Sequence, residues 1–219
     1  MDELIPIEER YEKESLALYM ATFKTIELLA KAHLKSKNYI AFINKVRKEI
    51  NALTIKQTKL ADNLLTKAYI MSNPGATSFQ VETALKQTWN PLHYSERIWK
   101  NTNQLCEMLE SNFVATIESG GSMKNLSRQL QQQFSVAAHN ANALLRTEST
   151  AYYNTGAITR YRDMGITKYR IVAEVDNRTS KICKEMDGKV FQVSEAKIGV
   201  NLPVFHVFCR STIAPIIAD

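Results

Sequence analysis

Residues 176–193 read DNRTSKICKEMDGKVFQV, and residues 201–211 read NLPVFHVFCRS. These two runs hold two of the three cysteines, one of the four histidines, an Asp-Arg pair, an Asp-Gly dipeptide and a proline three residues before the histidine. Asp187-Gly188 favours a tight reversal, because glycine supplies the left-handed backbone that such turns need. It leads into Lys189–Val193, a short strand in which Val190 and Gln192 oppose Phe191 and Val193. Upstream, residues 168–175 are rich in β-branched side chains and bounded by Gly165 and Asp176-Asn177, which predicts a strand ending in a turn. Thr179 to Met186 predicts one or two helical turns with Thr179 or Ser180 as the N-cap. Arg210 to Ile217 predicts a third strand. A sheet this small has little core of its own, so a metal ion or a polar staple would reinforce it.

Cys183, His206 and Cys209 are the ligand types that zinc takes, and the His206-x-x-Cys209 spacing lets one turn aim two donors at one ion. A structural zinc site has four ligands. The fourth candidates here are Asp187, Asp176 or a water. The competing reading is two buried free thiols around a hydrogen-bonded histidine. Ser180 and Ser211 stand where further cysteines would complete a fuller array, so spacing alone leaves both readings open.

The succession Arg146-Thr147-Glu148, Asp176-x-Arg178-Thr179-Ser180, Cys183, Asp187-Gly188-Lys189-Val190-Phe191, Gly199-x-Asn201, Pro203, His206 and Cys209-Arg210-Ser211 resembles the phage head morphogenesis domain of Mu F-like minor head proteins. The likeness runs over roughly residues 89–215 and includes Ser95-Glu96-Arg97-Ile98-Trp99, which the Gram-positive phage branch also tends to carry. Members often have a second proline where Val204 stands, and some have cysteines at the positions of Ser180 and Ser211. The resemblance implies a low-copy minor capsid protein, a virion component that joins the head during assembly in the host cytoplasm. It further implies association with the portal protein and other head proteins at the portal vertex or head interior, and a part in packaging or ejecting DNA.

Composition is consistent with that class. The chain has 219 residues, a formal charge of +6 and 45% hydrophobic residues, enough for a real core. Three cysteines, an odd number, fit a reducing compartment better than a disulfide framework. The acidic, polar start argues against secretion. No apolar run approaches the roughly 20 residues of a membrane span, so no membrane partner is expected. The nearest thing to a basic cluster, Lys35, Lys37, Lys45, Arg47 and Lys48, reads as a solvated helix face.

From Ile7 to Asn73 there is neither glycine nor proline. Leu16, Met20, Phe23, Ile26, Ala30 and Leu34 recur at spacings of three and four, which predicts one apolar stripe. Ile43, Val46, Ile50, Leu53, Gln57, Leu60, Leu64 and Met71 keep a heptad register in which Gln57 is a polar layer. Two long helices follow, paired as a hairpin or used for self-association. Asn73-Pro74-Gly75 is the clearest boundary. Beyond it the pattern predicts helices over residues 78–89, from Ser95 to the Gly120-Gly121 break, from Ser122 through Phe134, and from about Ala137 to Met164.

Glu148 falls within the apolar stripe of that last helix, where an unpaired carboxylate is costly. Arg178 or Arg210 from the C-terminal segment is its expected partner, because a guanidinium fork grips a carboxylate at two points. Arg146, Glu148, Asp176, Arg178 and Arg210 are therefore expected to form a structural polar network. The catalytic alternative makes Glu148 the general base of a zinc hydrolase, or of a phage-derived effector, acting on metal-bound water at Cys183, His206 and Cys209. No HExxH helix, deaminase signature, phosphate loop or nucleophile with its base accompanies it. A nucleic-acid module built on Arg178, Lys181, Lys184 and Arg210 is interrupted by Asp176, Glu185 and Asp187.

The expected protein is α+β and mostly helical. It has an N-terminal helical hairpin over residues 1–73, a helical middle over 74–164 and a small sheet subdomain with the Cys/His cluster over 165–219. The last two together resemble the head morphogenesis domain. A structural zinc is the one cofactor that the residues leave open, contact with packaged DNA is compatible with the role, and the chain is expected not to be an enzyme.

Overall fold

The computed structural model describes residues 3–217. These form a mostly helical α+β fold with six α-helices and one three-stranded sheet. The helices are α1 (Leu4–Leu34), α2 (Tyr39–Ser72), α3 (Ser78–Lys86), α4 (Tyr94–Glu118), α5 (Met123–Asp163) and α6 (Lys181–Met186). The strands are β1 (Lys168–Val172), β2 (Val190–Gln192) and β3 (Thr212–Ile216). The chain divides into two compact units made of interleaved segments. One contains the segment ending at Arg10, Ala61–His93 and everything from Ala143 onward; the other contains Tyr11–Leu60 and Tyr94–Asn142. Helices α1, α2 and α5 therefore each contribute to both units.

The second unit is a bundle built from parts of α1, α2, α4 and α5. Its core joins Tyr19, Ile26 and Ala30 to Phe42, Val46, Ile50 and Leu53, and to Leu109, Phe113, Leu126 and Leu130. Phe42 and Phe113 stack with ring centroids 3.6 Å apart. The heptad read along α2 is buried from Val46 through Leu64. Gln57 is the polar layer expected of it: Ser15 donates to its Oε1 at 3.1 Å, and its amide donates to the Ser15 carbonyl at 3.2 Å. A second polar contact places the Thr54 hydroxyl 2.7 Å from that of Thr102. A third has Asn101 donating to the Tyr19 hydroxyl at 3.1 Å and to the Ala137 carbonyl at 2.9 Å.

Two expectations are corrected here. On α1 the buried line runs Tyr11, Ser15, Tyr19, Ile26, Ala30, while Leu16 and Met20 are 46% and 42% exposed. A tyrosine can be buried whole when a partner meets its hydroxyl, as Asn101 does, so it displaces the more apolar residues from the seam. The break expected between Phe134 and Ala137 does not exist, and α5 is one helix of 41 residues. Neither glycine nor proline interrupts this stretch, and Ser135 turns its hydroxyl back to the Gln131 carbonyl at 2.9 Å, which a helix tolerates.

In the first unit, α3 opens with a capping box at Thr77 and Gln80. It stops at Lys86, short of the expected Trp89, which leaves that indole free to turn inward. The sheet order is β2-β1-β3, antiparallel throughout. Tyr169 and Ile171 of β1 are buried while Lys168, Arg170 and Val172 are not, the alternation of a sheet with one covered face. That face packs with Ile213, Leu202 and Val193 against Ala157 and Ile158 of α5. Gly188 closes the reversal into β2 with φ +73, and its N–H donates to the Ile171 carbonyl at 3.0 Å.

Candidate metal centre and its polar clasp

Ser180 caps α6, accepting the Cys183 N–H at 3.3 Å, and so fixes the direction of the Cys183 side chain. The loop entering β3 delivers His206 and Cys209. Sulfur of Cys183 lies 3.0 Å from Nε2 of His206 and 3.7 Å from sulfur of Cys209. Nδ1 of His206 donates to the Val207 carbonyl at 2.8 Å, which turns Nε2 toward the thiols. The Ser180 hydroxyl is 2.8 Å from the same Nε2. Ser211, 1% exposed, hydrogen-bonds to both cysteines. Cys183 and Cys209 are buried free thiols packed on Ala151 and Val204, with Trp89 and Phe205 beside them.

Burial would push the Cys183 thiol up, but hydrogen bonds from Ser180, Ser211, His206 and Cys209 together outweigh it and hold it below its ordinary value. Cys209 is pushed up, chiefly by burial, against backbone hydrogen bonds with Phe205 and Ser211 and with the neighbouring Cys183 adding to the rise. One thiolate at a time is favoured in this pair.

The donors fit zinc. Two sulfurs bound tetrahedrally at about 2.3 Å lie about 3.8 Å apart, close to the separation found here. The ligand atoms of Cys183, His206 and Cys209 all lie within 4.8 Å of one another. Asp187, the candidate fourth ligand, is not in that group. Its Oδ1 accepts the Ala173 N–H at 2.8 Å and ties the end of β1 to the turn that follows α6. The hydroxyls of Ser180 and Ser211 take the positions around the three donors. They carry the signal that the sequence offered, standing where cysteines would complete the array.

Asp176 and Arg210 form the clasp. The guanidinium meets both carboxylate oxygens, at 2.9 and 2.6 Å, and also reaches Glu174 at 3.1 Å. Asp176 further accepts the Arg178 N–H at 2.8 Å and the Thr179 hydroxyl at 3.0 Å, while the Arg178 guanidinium stays 3.7 Å away. The Arg210 hydrogen bonds hold the Asp176 carboxyl far below its ordinary value of 3.8. A carboxylate so lowered contributes stability above its unfolded value, and that contribution is lost as pH falls through the folded one. Asp176→Asn is therefore expected to lower the melting temperature near neutral pH, with the gap to wild type closing below about pH 4. A gap that stays constant through acid pH would refute this role.

Glu148, 2% exposed, accepts the Trp89 indole N–H at 3.1 Å. Of its two expected partners, Arg210 is engaged with Asp176 and Glu174, and Arg178 lies 3.7 Å from Asp176. Arg146 meets Glu8 at 3.8 Å, and Ser149 hydrogen-bonds to the same buried carboxylate. Thr147 accepts the Phe208 N–H at 3.1 Å, which anchors the cysteine loop to α5. Glu8 and Trp89 are the members of this constellation that sequence reasoning missed.

No curated protein and no solved structure matches the chain. Residues 107–214 match the family model described as Phage Mu protein F like protein. That span takes in the second half of α4, all of α5 and the sheet up to β3, and it contains every residue of the cysteine cluster and of the Asp176 clasp. This match over residues 107–214 supports a phage head morphogenesis family, the one to which the order of the motifs points.

Proposed function

We propose that the chain is a low-copy minor head protein of a tailed phage, associated with the portal and assisting head assembly, DNA packaging or ejection. The observation that carries this reading is the family match over the segment holding the cluster and the clasp, whose charged and thiol groups are engaged with one another. In this reading Cys183, His206 and Cys209 hold a structural zinc, and Arg146, Glu148, Asp176, Arg178 and Arg210 maintain the fold around it. Zinc supplies cross-linking of α6 to the β3 loop and no turnover. The hydrolase alternative is disfavoured by the burial of Glu148, which is 2% exposed and accepts from the Trp89 indole. Other head proteins are the partners, the long helices are the surface for docking or self-association, and packaged DNA is a transient contact. No helix among the described residues is long and apolar enough to cross a membrane.

The test is quantitative mass spectrometry of purified particles and empty procapsids, counting copies per portal ring. A reproducible low number in both, with capture by the purified portal, is expected. Absence from both kinds of particle would overturn the reading.

A further inference from the structure

The Gly199-x-Asn201 motif has no part in the metal centre, and it builds one wall of a separate cleft. The Asn201 side chain accepts the Lys197 N–H at 2.7 Å and donates to the Glu195 carbonyl at 3.0 Å, which ties the loop across its base. Gly199, with φ +82, turns the chain so that its N–H donates to the Leu202 carbonyl at 2.9 Å. The loop thereby holds Lys197, Ile198 and Leu202 along a cleft of about 310 Å³, whose remaining lining comes from α3, the segment after it and α5. That volume lies at the small end of ligand sites. We propose that this cleft binds the C-terminal residue of a partner protein, its free carboxylate held by Lys197 and Arg162 and its apolar side chain laid on Trp89, Ile158, Ile198 and Leu202.

The charge of the cleft is one-sided. Lys197 and Arg162 line it, and no aspartate or glutamate does. Both cations are exposed, and among the described residues neither forms an ion pair. Lys197 uses only its backbone groups to hold the loop, which leaves its ammonium uncommitted. Arg162 donates one hydrogen bond, to the Val193 carbonyl at 3.3 Å, and keeps the rest of its guanidinium available. An incoming carboxylate therefore gains charge-assisted hydrogen bonds without having to displace an existing ion pair.

The apolar floor is fixed from behind. Trp89 and Ile198 also pack against Cys183 and Cys209, while Ile158 and Leu202 belong to the core under the sheet. A floor already in place lowers the ordering cost of binding. The small volume favours a chain end. A terminal residue carries its carboxylate and its side chain on one Cα, so a single residue supplies both groups. An internal acidic residue needs an apolar neighbour and room for backbone to enter and leave. A nucleic-acid backbone offers no apolar group for this floor, and two cations are few for its charge.

The test uses the full chain and three probes: acetyl-Gly-Gly-Leu-Phe with a free terminal carboxylate, its C-terminal amide, and acetyl-Gly-Asp-Leu-Phe-amide. Binding is followed by calorimetry and by backbone amide shifts. The free acid is expected to bind and to shift the amides of Thr88, Ile198 and Leu202, with both other probes weaker by about tenfold or more. Lys197→Glu is expected to weaken the free acid by about tenfold or more, and Lys197→Arg to retain most of the affinity. Lys124→Glu, the same charge change on the other compact unit, should leave the affinity unchanged. Melting temperatures are measured alongside, and Arg162→Gln supplies an independent loss of affinity should Lys197→Glu fail to fold. Equal affinity for the free acid and its amide, equal affinity for the internal-aspartate probe, no binding at millimolar free acid, shifts confined to other surfaces, or displacement of the free acid by a short DNA duplex would each overturn the proposal. Copy number in particles is measured independently, so failure here leaves the assembly reading standing.

Discussion

Gly156→Ala is expected to lower the melting temperature by roughly 4–8 °C, although alanine is the better helix former. Gly156 lies inside α5, where glycine costs about 1 kcal/mol relative to alanine, so its presence needs a reason. The reason is the end of α2. A Cβ at position 156 would stand 2.5 Å from the Tyr69 carbonyl oxygen and would also collide with the Ser72 hydroxyl. The hydroxyl can rotate away, but the carbonyl belongs to a helix backbone that must move as a body. Overpacking against backbone costs about 3 kcal/mol, alanine returns about 1 kcal/mol as the better helix former, and at this chain length each of the remaining kcal/mol is worth about 2–4 °C. Ser72→Ala in the same chain should recover only part of the loss, because the Tyr69 contact remains. Gly75→Ala is the control: a Cβ there meets nothing within 4 Å, so its melting temperature should stay level or rise slightly. An unchanged melting temperature for Gly156→Ala would mean that α2 and α5 can separate at this point without cost.

Much of this arrangement is legible in the sequence, and the exceptions share a cause. The His206-x-x-Cys209 spacing, the upstream Cys183 and the Asp187-Gly188 reversal are local signals, and the structure brings those residues together as the spacing implies. The burial of Glu148 is also legible, since a carboxylate inside an apolar stripe is a local anomaly. Its partner is not. Trp89 lies 59 residues away, on a segment whose only local signal was an amphipathic pattern. Glu8, 141 residues from Ser149, looks like one more charge in an acidic N-terminus. Arg210 could reach Glu148 or Asp176 on chemical grounds alone, and only tertiary placement decides that Asp176 receives the fork. Along α1 the same limit sets Leu16 against Tyr19: hydrophobicity ranks leucine first, but the hydroxyl of Tyr19 finds Asn101 of α4, so tyrosine takes the buried position.

Zinc added to metal-free protein is expected to raise the melting temperature by roughly 5–11 °C. At a free concentration of about 100 times the dissociation constant, a ligand that binds only the folded state adds about 2.7 kcal/mol, and about 2–4 °C per kcal/mol applies to a chain of this size. The rise should vanish in Cys183→Ala, His206→Ala and Cys209→Ala, whose ligand atoms form the group. It should grow in Ser211→Cys, because Ser211 hydrogen-bonds to both cysteines and a thiolate there would supply the missing fourth ligand. Trp89 packs beside the cluster, so its fluorescence should report binding without an added probe. Affinity should fall as pH falls, because binding displaces protons from the thiols. Cobalt in place of zinc should show thiolate charge-transfer absorption in the wild type and lose it when either cysteine is removed. A melting temperature that ignores zinc would leave a different centre. Ser180, Cys183, His206, Cys209 and Ser211 would then be a closed hydrogen-bond network satisfied by its own members. In that case Ser211→Cys should add nothing, and His206→Ala should still destabilise the sheet, because Ser180 and Cys183 would lose their shared hydrogen-bond partner.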